Sequence, residues 1–257
     1  MFDPALITIY GPFTIHAYGL WITVGLVICL IFLLKDKKLL SIANTDQITN
    51  AITLAIVAGF LGGRILCMLS EDTDFKWYDI VTFWEPGLSI LGCIIGIAIA
   101  LPSYLKIQRI PLLPFLDRIA LYSPLAQAFG RIGCLCAGCC YGATCNHWWA
   151  IVYDHANHAA PLHIPIHPTQ LYSSIMLFTV FCILYFVVQQ RTKKAGILLY
   201  SYLLATSCER FIVDFMRADR TWYEYNNLSM LFSVNQWIAL AIAATAILGL
   251  WYTNKKQ

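Results

Sequence analysis

We predict an all-α, polytopic membrane protein with about seven transmembrane helices, an N-terminus outside and a C-terminus inside. Hydrophobic residues make up 59% of the 257 residues and charged residues only 12%, against about 25% charged in ordinary soluble domains. Apolar runs near the length needed to cross a bilayer recur along the chain. Basic residues gather in alternate loops, which is typical of a chain that crosses a membrane repeatedly.

Seven apolar segments account for the predicted helices. They are 13–34, 51–69, 87–105, 111–130, 171–188, 195–213 and 234–252. The fourth is the weakest, because it contains three prolines together with Asp117 and Arg118. We expect it to be kinked or partly interfacial, with neighbouring helices satisfying the backbone groups that proline leaves free. The first segment lacks a basic stretch before it and is expected to be a retained helix. No long polar linker divides the chain, so residues 1–257 are predicted to form one integral-membrane domain.

Loop charge predicts the orientation. The loops after the first, third and fifth segments and the C-terminus are basic, which places them in the cytoplasm under the positive-inside rule. These residues are Lys35, Lys37, Lys38, Lys106, Arg109, Arg191, Lys193, Lys194, Lys255 and Lys256. The loop after the second segment is acidic, with Glu71, Asp72, Asp74, Asp79 and Glu85. The formal net charge of +3 reflects this topology, and no nucleic-acid motif occurs, so no nucleic-acid partner is predicted.

A second group of arginines lies on the side that the rule disfavours, near the outer ends of the second, fourth and sixth segments. Its members are Arg64, Arg131, Arg210, Arg217 and Arg220. Charge is costly in hydrocarbon, so such residues usually face a polar cavity or a ligand. Guanidinium groups near one level of the bilayer predict an anionic ligand such as a phosphate, held by bidentate hydrogen bonds.

Two structural interpretations compete with a ligand for these arginines. Each side chain could extend to the membrane interface from a helix end, or pair with Glu209, Asp214 or Asp219. In a helix, Arg210, Asp214 and Arg217 fall at positions i, i+4 and i+7 and share one face. That spacing allows an internal ion pair that still leaves one arginine positive.

Six short motifs occur in an order that resembles the prolipoprotein diacylglyceryl transferase family over nearly the whole chain. They are Ile15-His16-Ala17-Tyr18-Gly19-Leu20, Gly62-Gly63-Arg64, Gly130-Arg131-Ile132-Gly133 with Gly138 and Tyr141-Gly142, His167-Pro168-Thr169-Gln170-Leu171-Tyr172, Arg210-Phe211-Ile212-Val213-Asp214-Phe215-Met216-Arg217, and Gln236-Trp237. Each motif alone has low specificity. Their order across seven apolar segments is specific.

The resemblance implies a multi-pass enzyme of the bacterial inner membrane. Such an enzyme moves diacylglycerol from phosphatidylglycerol to the lipobox cysteine thiol of a prolipoprotein, which forms a thioether and releases glycerol phosphate. The implied partners are phosphatidylglycerol, prolipoprotein signal peptides and membrane lipid, with no cofactor.

The resemblance also implies site residues. The expected catalytic residues are Arg131, Arg210, Tyr18 and His167, and the expected substrate-binding residues are Arg64, Gln170, Tyr172, Asp214 and Arg217. Arg131 and Arg210 are expected to contact the phosphate. Tyr18 and Gln170 would orient lipid or peptide, and Asp214 would hold an arginine in place.

Asp214 replaces a glutamate of the family pattern, and the chain departs from that pattern at three further positions. Leu91 stands where the family carries a histidine proposed to be catalytic, and Cys134 and Cys139 stand for an asparagine and a glutamate. A leucine cannot move a proton, so another base is needed if the protein is active. The candidates are His16, Tyr18 and His167.

The cysteines need a separate interpretation. Five of the ten lie between residues 134 and 145, in the predicted outer loop, where a disulfide is expected. Free thiols are one alternative, and zinc bound by Cys136, Cys139, Cys145 and His147 is another, although the spacing fits no ordinary zinc module and no metal is predicted. The other five cysteines are expected to be small apolar packing residues. His155, His158 and His163, with Asp154, are expected to form a polar lid.

Two other functional classes stay open from the residues. A lipid-binding or transport relative on the same scaffold would explain the missing histidine. A membrane thiol–disulfide protein would explain the cysteines but leaves the outer arginines unexplained.

Overall fold

The structure is a computed structural model that describes residues 5–10, 13–70, 89–155, 159–192, 194–218, 220, 224–225, 228–229 and 232–255. Its helices are α1 (Ala17–Lys35), α2 (Lys37–Leu40), α3 (Thr45–Ser70), α4 (Ile90–Ile107), α5 (Leu112–Ala137), α6 (Thr169–Ile183), α7 (Gln189–Arg191), α8 (Ile197–Asp214) and α9 (Val234–Lys255). A π-helical segment, Leu184–Val188, joins α6 to α7. The predicted acidic loop, His158, Lys193, Asp219 and Lys256 lie outside the described residues.

Each of the seven predicted segments overlaps a helix, and the protein is a helical membrane protein. Four helices within the described residues are long and apolar enough to cross a bilayer, namely Ala17–Lys35, Thr45–Leu69, Thr169–Arg191 and Val234–Lys255. Helix α5 runs through Pro124 as one element and is not among the four. Seven crossings and the orientation of the termini therefore remain predictions.

Two short hairpins were not predicted. Strand β1 (Ala5–Tyr10) pairs antiparallel with β2 (Phe13–His16), and β3 (Glu224–Tyr225) pairs with β4 (Leu228–Ser229). The predicted start of the first helix at residue 13 is wrong, because Phe13–His16 is a strand and the helix begins at Ala17. The Ile, Thr, Tyr and Phe residues of β1 and β2 have high strand propensity, and the apolar run concealed that signal.

The chain divides into two compact units, Met1–Leu33 with Leu116–Gln257, and Leu34–Phe115. The first unit contains most of α1, most of α5, and α6 to α9. In it, the rings of Phe32 and the buried Tyr122 stack with centroids 5.7 Å apart. Asp117, which weakened the prediction of a fourth span, binds the start of α8. Its carboxylate accepts hydrogen bonds from Gly196 N at 2.6 Å and Leu199 N at 2.8 Å.

The second unit contains α2, α3 and α4. Helix α3 begins six residues before the predicted span, because Asn44 and Gln47 form a reciprocal capping box with bonds of 3.0 and 2.8 Å. Helices α3 and α4 approach closely at glycines. A Cβ on Gly62 would lie 2.4 Å from the Gly92 carbonyl oxygen, and a Cβ on Gly96 would lie 2.2 Å from the Ala58 carbonyl oxygen.

Gly62→Ala should lower the melting temperature, because the added methyl group meets backbone and can be accommodated only if α3 and α4 separate. Overpacking of this kind costs about 1–3 kcal/mol. Gly19→Ala is the matched control, since a Cβ there meets nothing within 4 Å and alanine favours a helix. Thermal unfolding of both variants in detergent measures the difference. Equal melting temperatures would contradict the close packing of α3 against α4.

Candidate active site

The segment that follows α5 is held between two other segments, and this brings three sequence motifs together. On one side, Gly142 N donates to His167 O at 3.2 Å and His167 N donates to Ala143 O at 2.9 Å. On the other side, Ala143 N donates to Met216 O at 2.8 Å, and Gly142 forms an antiparallel bridge with Arg217. The end of α5, the start of α6 and the end of α8 therefore meet at one loop.

Glycines shape this loop. Gly138 has φ +73° directly after the last residue of α5, which is the left-handed conformation that commonly ends a helix. A Cβ on Gly142 would lie 2.5 Å from the His167 carbonyl oxygen, so only glycine allows the two backbones to approach. The left-handed conformation of Gly138 and the close approach of Gly142 to His167 give a physical reason for these two glycines of the sequence motif.

The first residues of α6 fix the next part of the loop. Thr169 Oγ1 donates to the Cys140 carbonyl oxygen at 2.8 Å, and Gln170 Nε2 donates to the Cys139 carbonyl oxygen at 2.8 Å. Thr169 and Gln170 are each 1% exposed. Gln170 was expected to orient lipid or peptide. Its described contact is with the chain itself, and it positions the residues around it.

Three of the predicted arginines lie close together at this loop. The Arg210 guanidinium is near enough to Arg131 and Arg217 to be repelled by both. Glu209 and Asp214 attract it, but the hydrogen bonds and ion pair recorded for these two carboxylates go to other side chains. Within the described residues, no carboxylate lies within ion-pair distance of Arg131 or Arg210. The arrangement favours an anion among the three guanidinium groups.

Asp214 has a different partner from the two that the helix spacing suggested. It is 1% exposed, accepts a hydrogen bond from Ser233 Oγ, and its Oδ2 lies 3.6 Å from Arg220 Nε. Arg220 also donates to Gln236 Oε1 at 3.0 Å. Asp214 thus links the end of α8 to the start of α9, and the arginine that it holds is Arg220.

Arg64 and Leu91 both belong to the second compact unit. Arg64 is buried on α3, and Leu91 is 60% exposed in the first turn of α4. His16, a candidate base, is exposed at the end of β2.

Sequence reasoning named Glu209 only as a possible partner of the arginines and missed the buried pair that it forms with Ser173. Glu209 is 4% exposed and accepts a hydrogen bond from Ser173, which joins α8 to α6. A carboxylate in an apolar helix, directly before a motif arginine, was the signal that could have identified it.

The cysteines form a different group from the one considered above. All ten are free thiols in the structure, so the expected disulfide is absent from it. The sulfur atoms of Cys134, Cys139 and Cys140 lie within 4.8 Å of one another. We call these three residues the thiol cluster; Cys136 and Cys145 are not members of it.

The thiol cluster lies beside the arginines. Hydrogen bonds with the Cys134 and Cys139 thiols, and then the positive charges of Arg217 and Arg131, lower the pKa of Cys140. Tyr18 is close enough to interact with all three thiols and with Arg131. Its ring packs against α5 where Gly133 leaves room, since a Cβ on Gly133 would lie 3.3 Å from Tyr18 Cδ2.

Tyr153 supports the thiol cluster from the loop that precedes α6. It is 0% exposed and donates to the Leu135 carbonyl oxygen at 2.8 Å. Burial raises the pKa of its hydroxyl group, so the group remains protonated and keeps this hydrogen bond at neutral pH.

His167 and Tyr172 belong to an aromatic group at the same end of α6. His167 Nδ1 lies 3.3 Å from Tyr172 Oη, which also accepts a hydrogen bond from Trp149 Nε1 at 2.8 Å. Trp149 stacks on His147 with ring centroids 4.5 Å apart, and the neighbouring Trp148 is 91% exposed. An exposed tryptophan beside polar rings is typical of a membrane–water interface.

An apolar groove of about 280 Å³ lies between α5 and α6. Phe129, Ile132, Ile175 and Phe178 are among its lining residues. Ile132 directly follows Arg131 in the chain, so one lining residue of the groove and a guanidinium-bearing residue lie in the same helix, α5. This combination suits a ligand with an anionic head and a hydrocarbon chain.

Comparison with known proteins gives one consistent result. A family model described as prolipoprotein diacylglyceryl transferase matches residues 4–252. The phosphatidylglycerol–prolipoprotein diacylglyceryl transferase of Clostridium tetani is 34% identical over 253 residues, which cover 98% of this chain and 96% of that protein. The second such enzyme of Clostridium perfringens is 33% identical over 243 residues, 94% of this chain and 91% of that protein. The similarity covers nearly the full length on both sides.

Proposed function

The chain belongs to the prolipoprotein diacylglyceryl transferase family, and we infer that it transfers the diacylglyceryl group of phosphatidylglycerol to prolipoproteins. The acceptor is the lipobox cysteine thiol, and the products are a thioether and glycerol phosphate. A lipid transporter or a thiol–disulfide protein is not favoured, because full-length relatives of this chain carry the transferase name.

The observation that carries the site assignment is the group of arginines at the junction of three motifs. Arg131 on α5 and Arg217 after α8 both repel Arg210, and a phosphodiester would offset that repulsion. As the carbon–oxygen bond of phosphatidylglycerol breaks, negative charge grows on the phosphate. Guanidinium groups already in place stabilise this charge without reorganising, which lowers the barrier.

The remaining residues take supporting roles. Tyr18 lies beside both Arg131 and the thiol cluster, and it orients the incoming thiol. His167 and Tyr172 contact the peptide near the aqueous end of α6, where they adjoin exposed tryptophan. The groove at Ile132 takes an acyl chain, so the lipid is held in line for attack.

Gln170 and Asp214 act through other residues. Gln170 fixes the backbone at Cys139, and Asp214 fixes Arg220 and α9. Arg64, which belongs to the second unit, is predicted to bind substrate on the strength of the Gly-Gly-Arg motif alone.

The membrane arrangement follows from charge. The protein crosses the bacterial inner membrane seven times with its N-terminus outside, because the basic loops alternate along the chain. The prolipoprotein is recognised through its signal peptide, an apolar segment that reaches the site from within the bilayer.

The test is direct. Purified protein is incubated with phosphatidylglycerol vesicles and a lipobox peptide, and mass spectrometry follows the diacylglyceryl adduct while an enzymatic assay follows glycerol phosphate. We expect both products in equal amounts, and neither with a peptide whose lipobox cysteine is serine. Absence of adduct from a folded preparation would exclude the transferase function.

A further inference from the structure

The thiol cluster has the composition and spacing of a metal site. Its three sulfur atoms lie within 4.8 Å of one another. In zinc–thiolate sites the Zn–S distance is about 2.3 Å, which puts neighbouring sulfur atoms about 3.8 Å apart. The thiols therefore need to converge by at most about 1 Å to bind one ion.

We propose that Cys134, Cys139 and Cys140 bind one Zn²⁺, and that the thiolate of the prolipoprotein cysteine takes the fourth coordination position. The proposal rests on the transferase function inferred above, because that reaction supplies the fourth ligand. Three protein ligands with one open position are the usual arrangement of a catalytic zinc site, whereas structural sites have four protein ligands.

The surrounding backbone holds the ligands in place. Cys134 lies in the last turn of α5, and the chain then reverses through Gly138 so that Cys139 and Cys140 face it. Cys140 has φ +59°, which a non-glycine residue rarely adopts. The hydrogen bonds from Thr169 and Gln170 to the two carbonyl oxygens hold that conformation. A loop fixed in this way loses little freedom when it binds a metal ion.

The charges around the cluster are compatible with this ion. Three thiolates and Zn²⁺ carry a net charge of −1, and Arg131 and Arg217 both lie near Cys140. The same arginines are the proposed phosphate contacts. A substrate thiolate at the fourth position would therefore be next to the phosphate that must leave.

The chemistry needs a way to ionise the substrate thiol. The side chains that the structure places around the cluster include Tyr18, Tyr153, Arg131 and Arg217, and none of these is a base at neutral pH. A free cysteine thiol has a pKa of about 8.5 and is only about 3% ionised at pH 7. A thiol bound to zinc is deprotonated, and its proton passes to water.

The transfer step then balances. The substrate sulfur forms a bond to the glyceryl carbon, and the bond from that carbon to the phosphate oxygen breaks. The electron pair of the broken bond stays on that oxygen, so glycerol phosphate leaves as a dianion. Zinc remains in the +2 state, and no protein thiol is alkylated.

The first test measures metal content. Full-length protein is purified in detergent after growth with zinc, and metals are quantified by plasma mass spectrometry. We expect about one zinc per chain, a loss of at least half of it in Cys139→Ser and in Cys140→Ser, and no loss in Cys136→Ser, which is the matched control from the same region. Less than about 0.1 zinc per chain after zinc supply, stoichiometric copper instead, or a disulfide within the cluster would each overturn the proposal.

The second test is independent of turnover and of variants. Zinc is replaced by Co²⁺, and the thiolate-to-cobalt charge-transfer band is recorded as lipobox peptide is added. We expect the band to intensify with the cysteine peptide and to stay unchanged with the serine peptide. No response to the cysteine peptide would overturn the role of the substrate as fourth ligand.

Activity measurements separate this proposal from the proposed function. Removing zinc with a chelator should lower transfer on the order of 30-fold, given the small ionised fraction of a free thiol at pH 7, and zinc should restore it. Full transfer by the metal-free protein would leave the transferase function standing and overturn the zinc site. Bound zinc with a cobalt response but no diacylglyceryl adduct would leave the zinc site standing and overturn the transferase function.

Discussion

Arg131→Ala should lower kcat/KM for diacylglyceryl transfer on the order of 10²–10³-fold, which is the usual effect of removing one preorganised donor to a developing charge. Arg131 follows Gly130 on α5 and lies near both Arg210 and the thiol cluster. A Cβ on Gly130 would meet nothing within 4 Å. The helix surface at Gly130, directly before Arg131, is therefore open.

The fold should tolerate this change. Removing Arg131 relieves repulsion on Arg210, and no ion pair with a described carboxylate is broken. We expect normal membrane insertion and a melting temperature equal to or above that of the wild type. Arg191→Ala, at an exposed position after α6, is the control and should keep full transfer. Wild-type kcat/KM in Arg131→Ala would remove this residue from the phosphate site.

The sequence was sufficient to locate the long helices, although not all of their ends, because each is marked by an apolar run. Loop charge also singled out the arginines that meet at one loop, because the predicted topology places them on the side that the positive-inside rule disfavours. The hairpin of β1 and β2 was not predicted, because its residues are as apolar as a helix start and no period distinguishes short strands from helix.

The side-chain partners were harder to predict than the elements. Helical spacing allowed Asp214 to pair with Arg210 or Arg217, yet it pairs with Arg220, which comes after the helix has ended. Spacing along a helix is local information, and the chain direction beyond the last turn depends on the bridge between Gly142 and Arg217. Tertiary contacts of this kind cannot be predicted from one sequence.

The cysteines illustrate the same limit. Their spacing suggested the C-x-x-C pair Cys136 and Cys139. Cys134 and Cys136 both lie on α5, but only Cys134 is part of the thiol cluster. Cys140, whose backbone is left-handed, joins the cluster after the chain has reversed at Gly138. A positive φ at a non-glycine residue has no reliable sequence signal, so this grouping required coordinates.

Arg210→Lys should lower kcat/KM by about 10- to 100-fold although the charge is kept. Arg210 lies on α8 between two like-charged neighbours, Arg131 and Arg217. An ammonium group supplies one point charge, whereas a guanidinium group forms two parallel hydrogen bonds to phosphate oxygens and fixes their orientation. Lysine also holds its hydration more strongly, which weakens its contact with the lipid head.

The lysine variant distinguishes bidentate hydrogen bonding by Arg210 from the effect of its positive charge alone. If the arginines act only by positive potential, Arg210→Lys should behave like wild type, and Arg210→Gln alone should be impaired. If bidentate contact matters, both variants should lose transfer, with the loss in kcat rather than only in KM, because the contact strengthens as charge develops on the phosphate. Arg191→Lys provides the matched control at an exposed arginine. Steady-state kinetics with phosphatidylglycerol at saturating lipobox peptide measures both constants, and an unchanged kcat in Arg210→Lys would show that the fork of Arg210 makes no contact specific to the transition state.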